Sequence, residues 1–147
     1  MMIEFGQAIT PLLSKEKVFV FSKYFHTYYD LMQSVEFFYK ENNDTYYFLC
    51  ATDYIETILD SLAELSLENP CALLSNYIDN CHDLDFDNPE KSIIYDKDNL
   101  IQNIQSLIAK DEFVQNYRDK EDLISVCHYL IEFVELSKNN ELTVQYG

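Results

Sequence analysis

The stretch Asp83-Leu-Asp-Phe-Asp-Asn-Pro-Glu90 sets three aspartates on alternate residues, the spacing with which a calcium loop begins. Such a loop takes oxygen ligands from positions 1, 3 and 5, turns at a glycine in position 6 and closes on a bidentate Glu at 12. Counted from Asp83, positions 3 and 5 are Asp85 and Asp87. Position 6 is Asn88, which tolerates left-handed backbone, and position 7 is Pro89, which keeps the carbonyl the loop uses. Position 12 is Ile94, so the ligand that closes the cage is missing. A start at Asp79 does worse, because its position 3 is Cys81. The stretch reads as an acidic loop, compatible at most with a weak surface cation site.

Two Cys-His dipeptides, Cys81-His82 and Cys127-His128, together with Cys71, suggest a zinc site. Neighbouring residues on a helix point about 100° apart, so such a dipeptide rarely supplies two ligands. Cys127 falls on an apolar stripe and reads as a small core residue. Nucleophilic catalysis by a cysteine is disfavoured for the same reason, since apolar burial in an acidic chain opposes the thiolate. The two glycines, Gly6 and Gly147, build no phosphate loop, and GxSxG and HExxH are absent. The helical nuclease pattern Arg-x4–6-His is missing too, with Arg118 and His128 too far apart. No catalytic residue, metal or cofactor is therefore expected.

The elements that would carry these residues read as helices. With 2 Gly and 3 Pro in 147 residues, turn-rich sandwiches and barrels are disfavoured. Residues 1–14 suggest a short helix near Pro11. Segment 17–21 reads as a buried strand or as the lead-in to a helix, and periodicity does not choose. Tyr24, Tyr28, Leu31, Val35 and Phe38 step by four and three, predicting a helix over 22–40 that ends at the breaker 42–44. Ile55, Ile58, Leu59, Leu62 and Leu65 predict a helix over 45–67, with Asp53, Glu56, Asp60, Glu64 and Glu68 as a second, acidic stripe. Asn69-Pro70 marks a further helix start, with Leu73, Leu74, Tyr77 and Ile78 behind it. Asp98 is positioned to cap a helix carrying Leu100, Ile101, Ile104, Leu107 and Ile108. A short turn over 111–117 precedes a last helix from about Lys120 to Ser137, capped by Asp119, with Leu123, Cys127, Leu130 and Val134 inward. Segment 142–146 alternates like a short strand. The expected fold is all-α: one domain over 1–147, a compact bundle of five or six helices. A two-stranded pairing of segments 17–21 and 142–146 is compatible with it.

Charge is the strongest fact. The chain holds 26 acidic and 10 basic residues, a net charge of −16, with Arg118 its single arginine. From Glu41 through Glu90 there is no Lys or Arg, and 12 of the 26 acids lie there, leaving 14 acids against all 10 bases elsewhere. A charged helix face is commonly no more than a solvated face. Here, however, like charges fall at i, i+4 along Glu56, Asp60, Glu64 and Glu68, which costs a helix roughly 0.2–0.5 kcal/mol per pair. A concentrated field of one sign attracts a partner of the other sign and speeds its association. Nucleic acid is a poor partner, because phosphate contact needs clustered Lys and Arg. No apolar run approaches the roughly 20 residues of a membrane span, and the N-terminus lacks the basic start of a signal peptide. The scattered cysteines suit a reducing, cytoplasmic setting.

In size and charge the chain resembles bacterial immunity proteins and inhibitors. These block a basic toxin, often a nuclease, by filling its cationic groove with carboxylates; no motif ties the chain to one family. The resemblance implies a non-enzymatic binder, monomeric or weakly dimeric, with a basic toxin domain as partner. Asp53, Glu56, Asp60, Glu64, Tyr77, Asp79, Asp83, Asp85, Asp87 and Glu90 are the expected contact residues. A nucleic-acid-mimicking inhibitor of the anti-CRISPR kind, or a secretion chaperone or adaptor, are the alternatives of the same character.

Overall fold

The structure, a computed structural model, describes residues 7–9, 16–20, 34–110 and 120–146. It is mixed α/β, which corrects the all-α expectation. The strands are β1 (Gln7–Ile9), β2 (Glu16–Val20), β3 (Ser34–Glu41), β4 (Asp44–Ala51) and β5 (Thr143–Tyr146). The helices are α1 (Thr52–Glu64), α2 (Ala72–Asp79), α3 (Pro89–Ser92), α4 (Lys97–Lys110) and α5 (Lys120–Leu136).

The centre of the sheet is antiparallel, β4-β3-β5; β2 adds parallel to β4, and β1 antiparallel to β2, giving the order β1-β2-β4-β3-β5. Segments 17–21 and 142–146 do contribute strands, but they do not pair with each other, because β4 and β3 stand between them. The strand at Gln7–Ile9 likewise replaces part of the helix expected over 1–14. Tyr24, Tyr28, Leu31, the turn at 111–117 and Asp119 lie outside the described residues.

The β3–β4 hairpin overturns the helix expected over 22–40 in its described part, and residues 45–51 of the helix expected over 45–67; α1 is the remainder of that second helix, up to Glu64. Asn42 and Asn43 both have positive φ, 52° and 69°, and Glu41 pairs with Asp44. That is a two-residue type I′ turn, whose twist matches the strands it joins and which asparagine tolerates. Beyond it, Val35, Phe37 and Tyr39 are buried while Glu36, Phe38 and Lys40 alternate with them. Period two therefore wins over the four-and-three stepping that ended on Val35 and Phe38. Paired rings fasten the strands: Tyr39 stacks on Tyr46 at 5.0 Å, and Phe37 meets Phe48 edge-on at 6.3 Å.

The chain passes from β4 directly into α1, whose Tyr54, Ile55, Ile58, Leu59 and Leu62 are buried. Ser61, buried beside them, donates to the Thr57 carbonyl at 2.9 Å, so its burial leaves no orphaned donor. Helix α5 lies against the sheet through Phe133, 5.2 Å from Tyr39 and 5.7 Å from Phe48. Buried residues of β3, β4, β5 and all the helices except α3 belong to one hydrophobic cluster.

The start of α2 is capped across the fold rather than locally. Helix α2 begins at Ala72, two residues past Pro70, and its N-cap Cys71 supplies no side-chain bond. Instead Asp96 accepts from the Ala72 N–H at 2.7 Å, and Asn103 accepts from the Cys71 N–H at 2.8 Å. These outside acceptors satisfy the first free donors of the helix, so Asn69 is not needed as the cap. Asp98 lies within the first turn of α4 and not at its cap.

Candidate functional site

The acidic residues meet where α1, the end of α2 and the loop 80–88 come together. Asp60 on α1 accepts a hydrogen bond from the Tyr77 hydroxyl at 2.8 Å, and His82 Nδ1 approaches the same oxygen at 3.1 Å. Tyr77 is 2% exposed, so its hydroxyl is delivered from the core and Asp60 is its outlet toward solvent. His82 arrives through the end of α2. Its N–H donates to the Tyr77 carbonyl at 2.9 Å, and the Cys81 N–H donates to Ile78 at 3.3 Å. With φ of 57° at Cys81 this is a Schellman turn, carrying a cysteine where glycine is usual.

The following loop is built, not slack. The amide of Asn76, itself buried, accepts from the Asp85 N–H at 3.1 Å and donates to the Asp85 carbonyl at 3.0 Å. Asp85 in turn accepts from the Asp87 N–H at 3.0 Å and lies 3.5 Å from Lys91. Asp83 accepts from its neighbour Leu84 at 2.9 Å and from the Tyr146 hydroxyl of β5 at 3.1 Å. Asn88 accepts from Glu90 at 3.0 Å and starts α3 with Pro89 in its first position. Phe86 packs edge-on against Tyr146 at 5.0 Å. The result is a groove of about 630 Å³ between this loop and β5, lined by Asn80, Asp83, Asp85, Phe86, Asp87 and Tyr146 among others.

The field of the cluster is visible in the groups it perturbs. Burial raises the pKa of Glu56, and Asp53, Asp83 and Asp60 raise it further. Burial also raises Tyr77, as do its bond to Asp60 and the charges of Asp60, Glu56 and Asp83. Tyr146 is pushed up to about 12, by burial first and then by Asp83. Both phenols therefore stay protonated and serve as fixed donors to carboxylates.

Of the expected contact residues, Glu56, Asp60, Tyr77 and Asp83 form this cluster, and Asp85 and Asp87 line the adjoining groove. Asp53 is exposed on the same helix, one turn before Glu56. Glu64, Asp79 and Glu90 are exposed. Glu68 lies beyond the end of α1, so the acidic stripe stops at Glu64. Sequence reasoning weighed His82 only as a zinc ligand, and it missed Tyr146 and Asn76. The pattern that reveals them is three-dimensional: a left-handed turn for the first, a strand far along the chain for the second.

Among the described residues no three His, Cys, Asp or Glu side chains converge so as to hold a metal ion. Cys50, Cys71 and Cys127 are buried free thiols, and burial pushes Cys71 up to about 11 and Cys127 up to about 12. No described helix is long and apolar enough to cross a membrane. No family model matches the chain, and neither a curated protein nor a solved structure is detectably similar to it.

Proposed function

We propose that this protein is a non-enzymatic acidic inhibitor, an immunity-type protein that neutralises a basic toxin domain of the nuclease kind. Its carboxylates would occupy the cationic groove in which the toxin takes its substrate. The observation that carries this reading is the joining of Glu56, Asp60 and Asp83 in a segment of 50 residues without a Lys or Arg, two of the three held by tyrosine hydroxyls. Carboxylates already fixed in place lose less conformational freedom on binding than free ones do. A field of one sign also steers a basic partner to the site. Asp85 and Asp87 extend the contact along the groove beside β5, and the setting the reading implies is cytoplasmic.

The test is capture from the native organism's lysate on the immobilised protein, eluted by a salt gradient. One basic protein is expected in near-equal amount, eluting sharply with salt, with a nuclease activity that added protein suppresses. The double reversal Asp60→Lys with Asp85→Lys should abolish both capture and suppression. Undiminished capture by the double variant, or partners that ignore salt, would assign the acid to solvation alone.

A further inference from the structure

Between Glu41 and Glu90 one side chain can acquire a positive charge, and it is His82. It stands in the middle of the acidic cluster, its Nδ1 3.1 Å from Asp60. The backbone sets it there. Consecutive left-handed residues, Cys81 and His82 with φ of 57° and 63°, fold the chain back at the end of α2 and lay the imidazole against Tyr77, ring centres 5.2 Å apart. Non-glycine residues adopt this conformation only at a steric cost, so the placement is imposed by its surroundings.

The hydrogen bonds fix the tautomer. An ionised carboxylate only accepts, and Asp60 Oδ1 already accepts from Tyr77. His82 Nδ1 must therefore be a donor, which leaves Nε2 as the nitrogen that gains or loses the proton. The charged and titratable groups around the ring are Asp60 and Glu56 from α1, Tyr77 from α2, and Cys81 and Asp83 beside it in the chain. Tyr146 of β5 stands behind Asp83. Lys91, the base nearest in sequence, is engaged by Asp85.

We infer that His82 is a proton-operated counter-charge for the acidic surface. With Nε2 bare, Asp60 presents its full negative charge. With Nε2 protonated, the imidazolium cancels that charge, and a basic partner is held less tightly. Histidine is the side-chain type that can change its charge between pH 5 and 8. This inference rests on the binding role proposed above, and names a regulation of the same site.

The experiment uses the full chain and a deca-arginine amide whose N-terminus carries tetramethylrhodamine, so that the peptide's own charge is constant from pH 6 to 8. Peptide affinity is measured by anisotropy at pH 8.0 and 6.0 at fixed ionic strength, for the wild type and H82Q. One unit charge about 6 Å away in water changes affinity about three-fold, so the wild type should bind about three-fold less tightly at pH 6.0. H82Q should lose that difference. Binding at pH 8.0 with no pH dependence, or a pH dependence that survives in H82Q, overturns the control by His82 and leaves the binding role standing. Absence of binding at pH 8.0 overturns the binding role, and this inference with it.

Discussion

Two polar regions of this molecule use charge in opposite ways. At the joint between the start of α4 and the end of α5, charge is consumed by the fold. The Lys97 ammonium donates to the carbonyls of Ser137 at 2.7 Å, Lys138 at 3.4 Å and Asn140, closing the end of α5. Asp96 lies at the starts of α2 and α4, where helix dipoles favour a negative charge. Lys138 pairs with Asp98 at 3.1 Å. At the Asp60–Asp83 surface, by contrast, negative charge is gathered, fixed by neutral phenols and left without a lysine or arginine of its own segment. A charge that is consumed stabilises the fold, and a charge that is held but not neutralised is available to something outside it.

The sharpest way to break this comparison is Lys97→Met, which keeps the apolar stem and removes the ammonium. Three carbonyls lose a charged donor in a half-buried place, where burial already pulls the Lys97 pKa down. The loss should be about 2–3 kcal/mol by urea unfolding, with binding at the acidic surface unchanged. A loss below about 0.5 kcal/mol would show that water replaces the ammonium and that the two regions are not so different. Tyr77→Phe probes the other region. It removes a donor from Asp60 while the ring stays buried, so it should cost about 1 kcal/mol and free the Asp60 carboxylate to move. Partner affinity should fall with stability, because the bond serves both.

The joint and the acidic surface also differ in how far they could be read from the chain. Helices α4 and α5 were legible, since Leu100, Ile104 and Leu107, and Leu123, Leu130 and Val134, repeat at helical spacing and are buried as that spacing requires. The β3–β4 hairpin was not. Rings occupy both faces of it: Phe38 and Tyr47 meet at 5.5 Å on the side away from Phe37 and Phe48, so no clean apolar-polar alternation remains. Asn42-Asn43 then passed for a helix breaker, when the same residues suit a two-residue turn with positive φ. The acid of the site was plain in the base-free run, but its organisation was not. Which carboxylate is held depends on Tyr77, His82 and Tyr146, and those reach Asp60 and Asp83 across 17, 22 and 63 residues of chain.

Cys81→Gly sharpens the account of how His82 is placed. Cys81 is exposed and sits at φ 57°, the position after a helix end that glycine prefers. Relief of left-handed strain should outweigh the added freedom of the unfolded chain, for a net gain of about 0.5 kcal/mol in thermal unfolding. The peptide affinity at pH 8.0 should not move. A destabilised variant would mean that the thiol makes a contact that holds the turn.

The smallest effect expected is also the one that best separates stability from function. Glu56 has its pKa raised above 4.5 by burial and by Asp53, Asp83 and Asp60, so the folded protein binds its proton more readily than the unfolded chain does. The sign follows from linkage: the stabilisation is fully present below the unfolded value and is lost as pH rises through the folded one. Near neutrality the ionised Glu56 is therefore a burden on the fold. Glu56→Gln, which resembles the protonated form, should raise stability by a few tenths of a kcal/mol at pH 7, a modest figure because the side chain is partly solvated. The gain should vanish when unfolding is measured at pH 4. The same substitution should weaken binding to a basic partner at pH 7, since it removes one of the gathered charges. A variant that is both more stable and weaker in binding would show that this carboxylate is kept for what it meets. Equal binding would place the contact elsewhere on the acidic surface.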